Sequence, residues 1–197
     1  MNKTDLIEGA ISTLGNGGII GFPTDTVYGI GCDAHNLIAI DKIYKIKHRN
    51  KAKPLILFIK DTSELDKYVY VPEIGSKLIN TFWPGALTII FKAKPGSPVT
   101  SSNNTLGVRI PDSEPILSVL YQYKNPLVMT SANIQSEPPP TSHSGLNIKL
   151  DFVIPGTSGN IPSTIIDISF SPVILREGKI SREEIESVIG KITNAKY

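Results

Sequence analysis

A chain of 197 residues, 40% hydrophobic and 19% charged, can bury one sizeable core, and a net charge of +2 excludes charge-driven disorder. No run approaches the roughly 20 uninterrupted apolar residues of a bilayer span. The N-terminal Met1-Asn2-Lys3-Thr4-Asp5 lacks the charged-then-apolar run of a signal peptide. A lone cysteine, Cys32, permits no internal disulfide, so the expectation is a cytoplasmic protein with no membrane partner, one domain over residues 1–197.

Leu6, Ile7, Ala10, Ile11 and Leu14 recur with a helical period, predicting a first helix capped by Thr4 and ended by Gly15. Gly17-Gly18 leads into Ile19-Ile20-Gly21-Phe22, a short apolar run read as a buried strand. A second helix is predicted over residues 36–47, with Leu37, Ile40, Ile43 and Tyr44 inward. Lys42, Lys45 and Arg49 fall near one another on its other side if the helix extends that far. Pro54 stops it, and residues 55–59 form another buried strand.

Pro72 suits a helix start, and Ile74, Leu78 and Phe82 make a stripe ending before Trp83-Pro84-Gly85. Residues 87–91 read as a strand, 94–104 as a polar loop, 107–110 as a strand and 116–121 as a helix. Leu127-Val128-Met129 reads as a central strand ending at Thr130-Ser131-Ala132-Asn133, and Pro138-Pro139-Pro140 marks a loop. Strands follow at 152–154, 164–168 and 173–175. In the last helix Ser181 and Glu184 form a capping box, with Ile180 and Ile185 as its staple. Helices and strands are interspersed, with no repeat or linker, so the class is α/β or α+β in one domain.

Charge is uneven. Six Lys/Arg (Lys42, Lys45, Lys47, Arg49, Lys51, Lys53) lie between positions 42 and 53 with His48 and no acid, which leaves 14 basic against 18 acidic residues elsewhere. A basic island on a mildly acidic body suits a local anion site, and equally a solvated helix face followed by a basic loop. No P-loop motif is present. Gly29-Ile30-Gly31-Cys32-Asp33-Ala34 fits G-x-G-x-x-A, but no acidic residue closes a dinucleotide unit after it. His35, His48 and His143 lack metal-ligand spacing, and Cys32 reads as a small buried residue.

What remains is a set of polar elements at strand ends: Pro23-Thr24-Asp25-Thr26-Val27-Tyr28-Gly29, Lys47-His48-Arg49 with Lys51 and Lys53, and Gly107-Val108-Arg109-Ile110-Pro111. Thr130-Ser131-Ala132-Asn133, Pro162-Ser163-Thr164 and Arg176-Glu177-Gly178 complete it. Each alone is more often an ordinary turn than a site. Clustered cations beside a buried strand do suit a di- or triphosphate, and Arg109 can fork onto a carboxylate or phosphate.

Taken in order, these elements resemble the YrdC-like threonylcarbamoyl-adenylate synthases, from Gly17-Gly18 to Gly178. The most specific are the Pro23–Gly29 run, Lys47-x-Arg49 with Lys53-Pro54-Leu55, Trp83-Pro84-Gly85, Ser131-Ala132-Asn133 and Pro162-Ser163-Thr164. The resemblance implies a twisted mixed sheet with flanking helices around a large basic cavity. It further implies ATP, L-threonine and bicarbonate as substrates, Mg²⁺ with the ATP, and pyrophosphate release. The product would pass to the tRNA threonylcarbamoyl-transfer machinery. A carbamate supplies its own nucleophilic oxygen, so the protein must position reactants and neutralise charge.

By that resemblance Lys47, Arg49, Ser131 and Asn133 are the catalytic candidates. Arg49, Lys53, Thr105, Ser131 and Arg176 would meet ATP, and Thr26, Arg109 and Ser163 would bind threonine. No protein ligand for a metal is assigned: Asp25 could approach the ion or serve the turn. The chain departs from the family at Ile134-Gln135-Ser136, at Phe58 where some members have histidine, and at Ile154-Pro155-Gly156. Its end soon after the last helix resembles the short members without a C-terminal domain. Two alternatives stand beside the synthase: an RNA-binding protein of the same fold, and a paralogue using another acceptor.

Overall fold

Ten strands, among the described residues, join one mixed sheet in the order 173–176, 164–167, 87–93, 105–109, 56–58, 127–131, 29–33, 20–22 and 152–153, with 69–70 also paired to 87–93. The computed structural model describes residues 2–134 and 137–192. The N-terminal half contains α1 (Lys3–Gly15), β1 (Ile20–Phe22), β2 (Gly29–Asp33), α2 (Leu37–Ile46) and β3 (Ile56–Phe58). A 3-10 turn, α3 (Leu65–Tyr68), β4 (Val69–Tyr70), α4 (Glu73–Phe82) and β5 (Leu87–Ala93) follow. The second half runs through β6 (Thr105–Arg109), α5 (Glu114–Tyr123) and β7 (Leu127–Ser131). It ends with β8 (Phe152–Val153), β9 (Thr164–Asp167), β10 (Val173–Arg176) and α6 (Arg182–Ile189).

The helices predicted from periodicity are present, with local corrections. Asn2, not Thr4, caps α1: its side chain accepts from the Asp5 amide at 2.9 Å, and the Asp5 carboxylate accepts from the Asn2 amide at 3.2 Å. That exchange satisfies two end donors at once. The Ser181/Glu184 box is formed on α6, and Ile180 and Ile185 are both buried. In α2 the buried side is Ala39, Ile40 and Ile43, whereas Leu37 is 76% exposed rather than inward. The helix ends at Ile46, and His48, at φ 50°, reverses the chain. Past that turn Arg49 donates to the backbone of Lys53 and Pro54, while Lys42 and Lys45 stay in solvent. Lys47 continues the buried stripe, four residues beyond Ile43, and is 2% exposed.

β2 and the short elements from 62 to 70 carry no clear pattern in the sequence. All five β2 residues are buried, and a strand covered on both faces shows no alternation. All of the G-x-G-x-x-A match except its last residue, Ala34, lies in this strand, paired to β1 and β7, and it does not form a phosphate-binding turn.

The two faces of the sheet pack differently. Leu57, Leu87, Ile89, Phe91, Leu106, Val108 and Val128 face one core, joined by Leu78 of α4, Ile43 of α2 and Ile185 of α6. Phe22, Phe58, Leu127 and Met129 face the second, beneath Ile7 and Leu14 of α1 and Val119 of α5. The sheet curls strongly: the Phe22 and Phe58 rings lie 6.5 Å apart although β2 and β7 separate their strands. Helices α1 and α5 cover part of this second face. The rest lines a cavity.

Candidate active site

The cavity encloses about 740 Å³. Strand alternation builds its floor: Thr88 and Ile90 of β5, Thr105, Gly107 and Arg109 of β6, Ile56 of β3, Met129 of β7 and Ile165 of β9 all point into it. Their neighbours Ile89, Leu106, Val108, Leu57 and Val128 point into the opposite core. One apolar sheet face thus becomes a site because alternate positions carry threonine, glycine and arginine.

Three guanidiniums line this space. Arg109 is 2% exposed and held on every side: its Nε donates to Gly85 O (2.8 Å), Nη1 to Thr26 Oγ1 (3.0 Å) and Nη2 to Asp25 Oδ1 (2.6 Å). Its charge also lies 5.6 Å from the Phe58 ring centre. Phe58 therefore supports the arginine as a cation–π platform. Gly85 follows the cis Trp83–Pro84 bond, and its N–H donates to Ile110 O (2.9 Å).

Arg176 donates from Nε (3.1 Å) and Nη2 (2.8 Å) to Ser163 O, and from Nη2 to Ser163 Oγ (3.2 Å). Arg49 donates to Lys53 O (3.0 Å) and Pro54 O (3.1 Å). All three arginines are held below the ordinary arginine value, chiefly by burial. The Arg49 charge adds to this at Arg176, and the Arg176 charge at Arg109. Such a field favours an anion, which would relieve both the desolvation and the mutual repulsion.

Lys47 is not among the lining residues. Its ammonium sits behind the wall and donates to Ser131 O (2.5 Å), to Asn133 O and to Asn133 Oδ1 (3.3 Å). An ammonium has three donors, and all three go to this one turn. Burial, with the nearby Arg49 charge, lowers Lys47 from 10.5 to about 8. The turn is closed further by Ser131 Oγ donating to Asn133 Oδ1 (2.5 Å) and by Asn133 Nδ2 donating to Glu137 O (2.5 Å). Ser131 thus offers the cavity an oxygen whose proton is already spent.

The hydroxyls of Thr26, Thr88, Thr105 and Ser163 complete the wall, with Thr24 and Ser101 behind it. Thr24 Oγ1 donates to Val27 O (2.7 Å) and lies 3.0 Å from Thr26 Oγ1. Ser163 Oγ lies 3.0 Å from Thr88 Oγ1, and Thr105 Oγ1 lies 2.7 Å from Ser101 Oγ.

The cavity gathers Thr26, Arg49, Lys53, Thr105, Arg109, Ser131, Asn133, Ser163 and Arg176 from segments spread over 150 positions of sequence. Lys47 stands behind them. Asp25 is engaged by Arg109, and among the described residues no group of three His, Cys, Asp or Glu could cage a metal ion. Gln135 and Ser136 lie outside the described residues. Sequence reasoning passed over Thr88, Ile56, Ile90 and Met129. Alternation within their strands would have marked Thr88, the polar residue in an apolar run. Burial pushes the Cys32 thiol up to about 12, aided by the Asp33 charge, which makes it a poor nucleophile.

A basic cavity on the curled face of a mixed sheet, walled by these motifs, defines the class: an α/β protein with a cation-lined pocket. Residues 12–178 match the Sua5/YciO/YrdC family, described as telomere recombination, and the chain belongs to that family. It is 38% identical over 197 residues to the threonylcarbamoyl-AMP synthase of Bacillus subtilis (strain 168), covering 94% of this chain and 57% of that protein. Among solved structures it resembles Pyrococcus abyssi Sua5 complexed with L-threonine (TM-score 0.91, 33% identity), covering 98% of this chain and 59% of that one. It also resembles E. coli YciO (TM-score 0.84, 26% identity), covering 93% and 94% respectively. The chain thus spans less than two thirds of the Bacillus and Pyrococcus proteins' length. Among the described residues no helix is long and apolar enough to cross a membrane.

Proposed function

We propose that this chain forms L-threonylcarbamoyl-adenylate from L-threonine, bicarbonate and Mg–ATP, with release of pyrophosphate. The observation that carries the reading is the meeting of Arg49, Arg109 and Arg176 around one cavity whose described lining carries no carboxylate, while Asp25 is paired with Arg109. The relatives named threonylcarbamoyl-AMP synthase, and the Sua5 structure holding L-threonine, support it. Threonine's amine and bicarbonate condense to a carbamate with loss of water. A carbamate oxygen then forms a bond to the α-phosphorus, and the α–β P–O bond breaks, its electron pair leaving with pyrophosphate. No side-chain nucleophile is needed.

Arg109, with Thr26 and Ser163, binds the amino acid, the guanidinium turning its remaining N–H groups to the carboxylate. Arg49, Lys53, Thr105, Ser131 and Arg176 hold the nucleotide. Arg49 and Arg176 offset the charge that gathers on the phosphates as the bond breaks. Lys47 and Asn133 set the turn that carries Ser131. Mg²⁺ arrives on the triphosphate as part of the substrate. The product then serves transfer to tRNA.

The RNA-binding reading is weaker. In the exposed part of the basic island, Lys45 and Lys51 are paired with Asp41 at 3.1 and 2.5 Å, whereas Arg49, Arg109 and Arg176 line the cavity. Pyrophosphate release should require ATP, Mg²⁺, bicarbonate and L-threonine together, with serine a poor replacement. Release independent of threonine, or none from protein that binds ATP, would overturn the reading. Salt-sensitive RNA binding without turnover would favour the alternative.

A further inference from the structure

Gly107 stands at the centre of the cavity floor. It lies between Thr105 and Arg109 on the same face of β6, each about 6.7 Å away along the strand. The roles given above place nucleotide at the Thr105 end and the amino acid at the Arg109 end. The floor around Gly107 is made of methyl and methylene groups. A Cβ placed there would meet Ile90 Cγ1 at 3.6 Å, Thr88 Cγ2 at 3.6 Å and Ile56 Cγ1 at 3.9 Å. Thr88 turns its methyl to this spot because its hydroxyl is engaged with Ser163 at 3.0 Å. These are ordinary van der Waals distances, and Gly107 is not in a left-handed conformation. The strand therefore does not require glycine at this position for its own sake. A side chain would improve β propensity and remove chain entropy from the unfolded state. The space that the missing side chain leaves belongs to whatever occupies the cavity.

We infer that Gly107 keeps open the junction subsite, where the carbamate end of the amino acid meets the α-phosphate. This rests on the synthase reading and names a residue on which the meeting of the two substrates depends. The apolar floor also has a chemical use. A carbamic–phosphoric mixed anhydride is open to attack by water, and Ile90, Ile56 and the Thr88 methyl give a water molecule nothing to hold. The charged groups stand around the junction rather than beneath it. Their fields act there with less solvent screening.

The test uses Gly107→Ala and Gly107→Val beside the wild-type chain. Titration calorimetry measures L-threonine alone and a non-hydrolysable ATP analogue with Mg²⁺ alone, and a third assay follows pyrophosphate release. Each ligand alone should bind both variants within about threefold of wild type. Pyrophosphate release should fall about 10–200-fold in Gly107→Ala, as one added methyl in a filled pocket does, and further in Gly107→Val. Melting temperatures at or above wild type would show that the fold is intact. Loss of one ligand's separate binding in Gly107→Ala would overturn the inference, placing Gly107 within a single subsite. Undiminished turnover in both variants would also overturn it. Absence of turnover in the wild-type chain is a different result: it overturns the synthase reading itself, and the junction with it.

Discussion

Replacing Lys47 with methionine keeps most of the buried stem and removes the ammonium. The charge-assisted bonds to the carbonyls of Ser131 and Asn133 are lost, along with the 3.3 Å approach to Asn133 Oδ1. A hydrogen bond to a charged group contributes about 1.5–3 kcal/mol net, so two strong ones give a gross loss of about 3–6 kcal/mol. Against this stands the relief of a buried cation. The fall from 10.5 to about 8 represents about 3 kcal/mol of destabilised charge, which methionine does not carry. The net loss of stability in Lys47→Met is therefore expected to be small, about 0–3 kcal/mol. Turnover should suffer more. The turn that carries Ser131 and Asn133 loses the clamp on both carbonyls, and a misplacement of about 1 Å at a reacting group costs on the order of 10²-fold. Urea unfolding followed by two probes measures the first quantity, and pyrophosphate release at saturating substrates the second. The reasoning fails if turnover stays within about threefold of wild type. It fails equally if the variant loses more than about 5 kcal/mol, because the clamp would then be a fold determinant rather than a positioning device.

Lys47 also sets a pH dependence. Its folded value lies below the unfolded one, so between about 8 and 10.5 the unfolded chain binds more protons, and wild type should gain stability relative to Lys47→Met as pH rises through that window. The neutral amine keeps two donors for the two carbonyls; a melting-temperature difference that stays flat from about pH 7 to about pH 10 would contradict this. Asp25→Ala strips the buried Arg109 of the carboxylate 2.6 Å away and should cost about 3–5 kcal/mol in urea unfolding. A cost below about 1 kcal/mol would mean that the pair behaves as a solvated one. At Gly178 an added Cβ would lie 2.2 Å from Pro162 O, so Gly178→Ala must displace the 162–163 backbone that Arg176 grips. It should cost about 1–3 kcal/mol and weaken ATP-analogue binding in calorimetry, and unchanged binding would detach Arg176 from the nucleotide.

Much of this protein was legible in its residues. The helical stripes of α1, α4 and α6 are local, since a 3.6-residue period and a capping box depend on neighbours within one turn. So are the apolar runs of β3, β5 and β7. The family resemblance carried by the motifs at strand ends implied a basic cavity, and nine of the ten candidate site residues line it. β2 stayed hidden because burial on both faces erases alternation, and Leu37 misled because a helix's first turn can leave an apolar residue in solvent.

Only the tertiary structure decided what each charged group does. Lys47 and Arg49 are two residues apart, yet one spends its donors behind the wall and the other faces the cavity. The helix end at Ile46 and the positive φ of His48 cause that separation. Arg109 was recognisable as an arginine between apolar residues, but its pairing with Asp25 and Thr26 spans more than 80 positions and depends on the curl of the sheet. Composition and period determine which segments bury which faces. Where a long, flexible cation places its head is set by non-local oxygens, and these come within reach only once the sheet has closed.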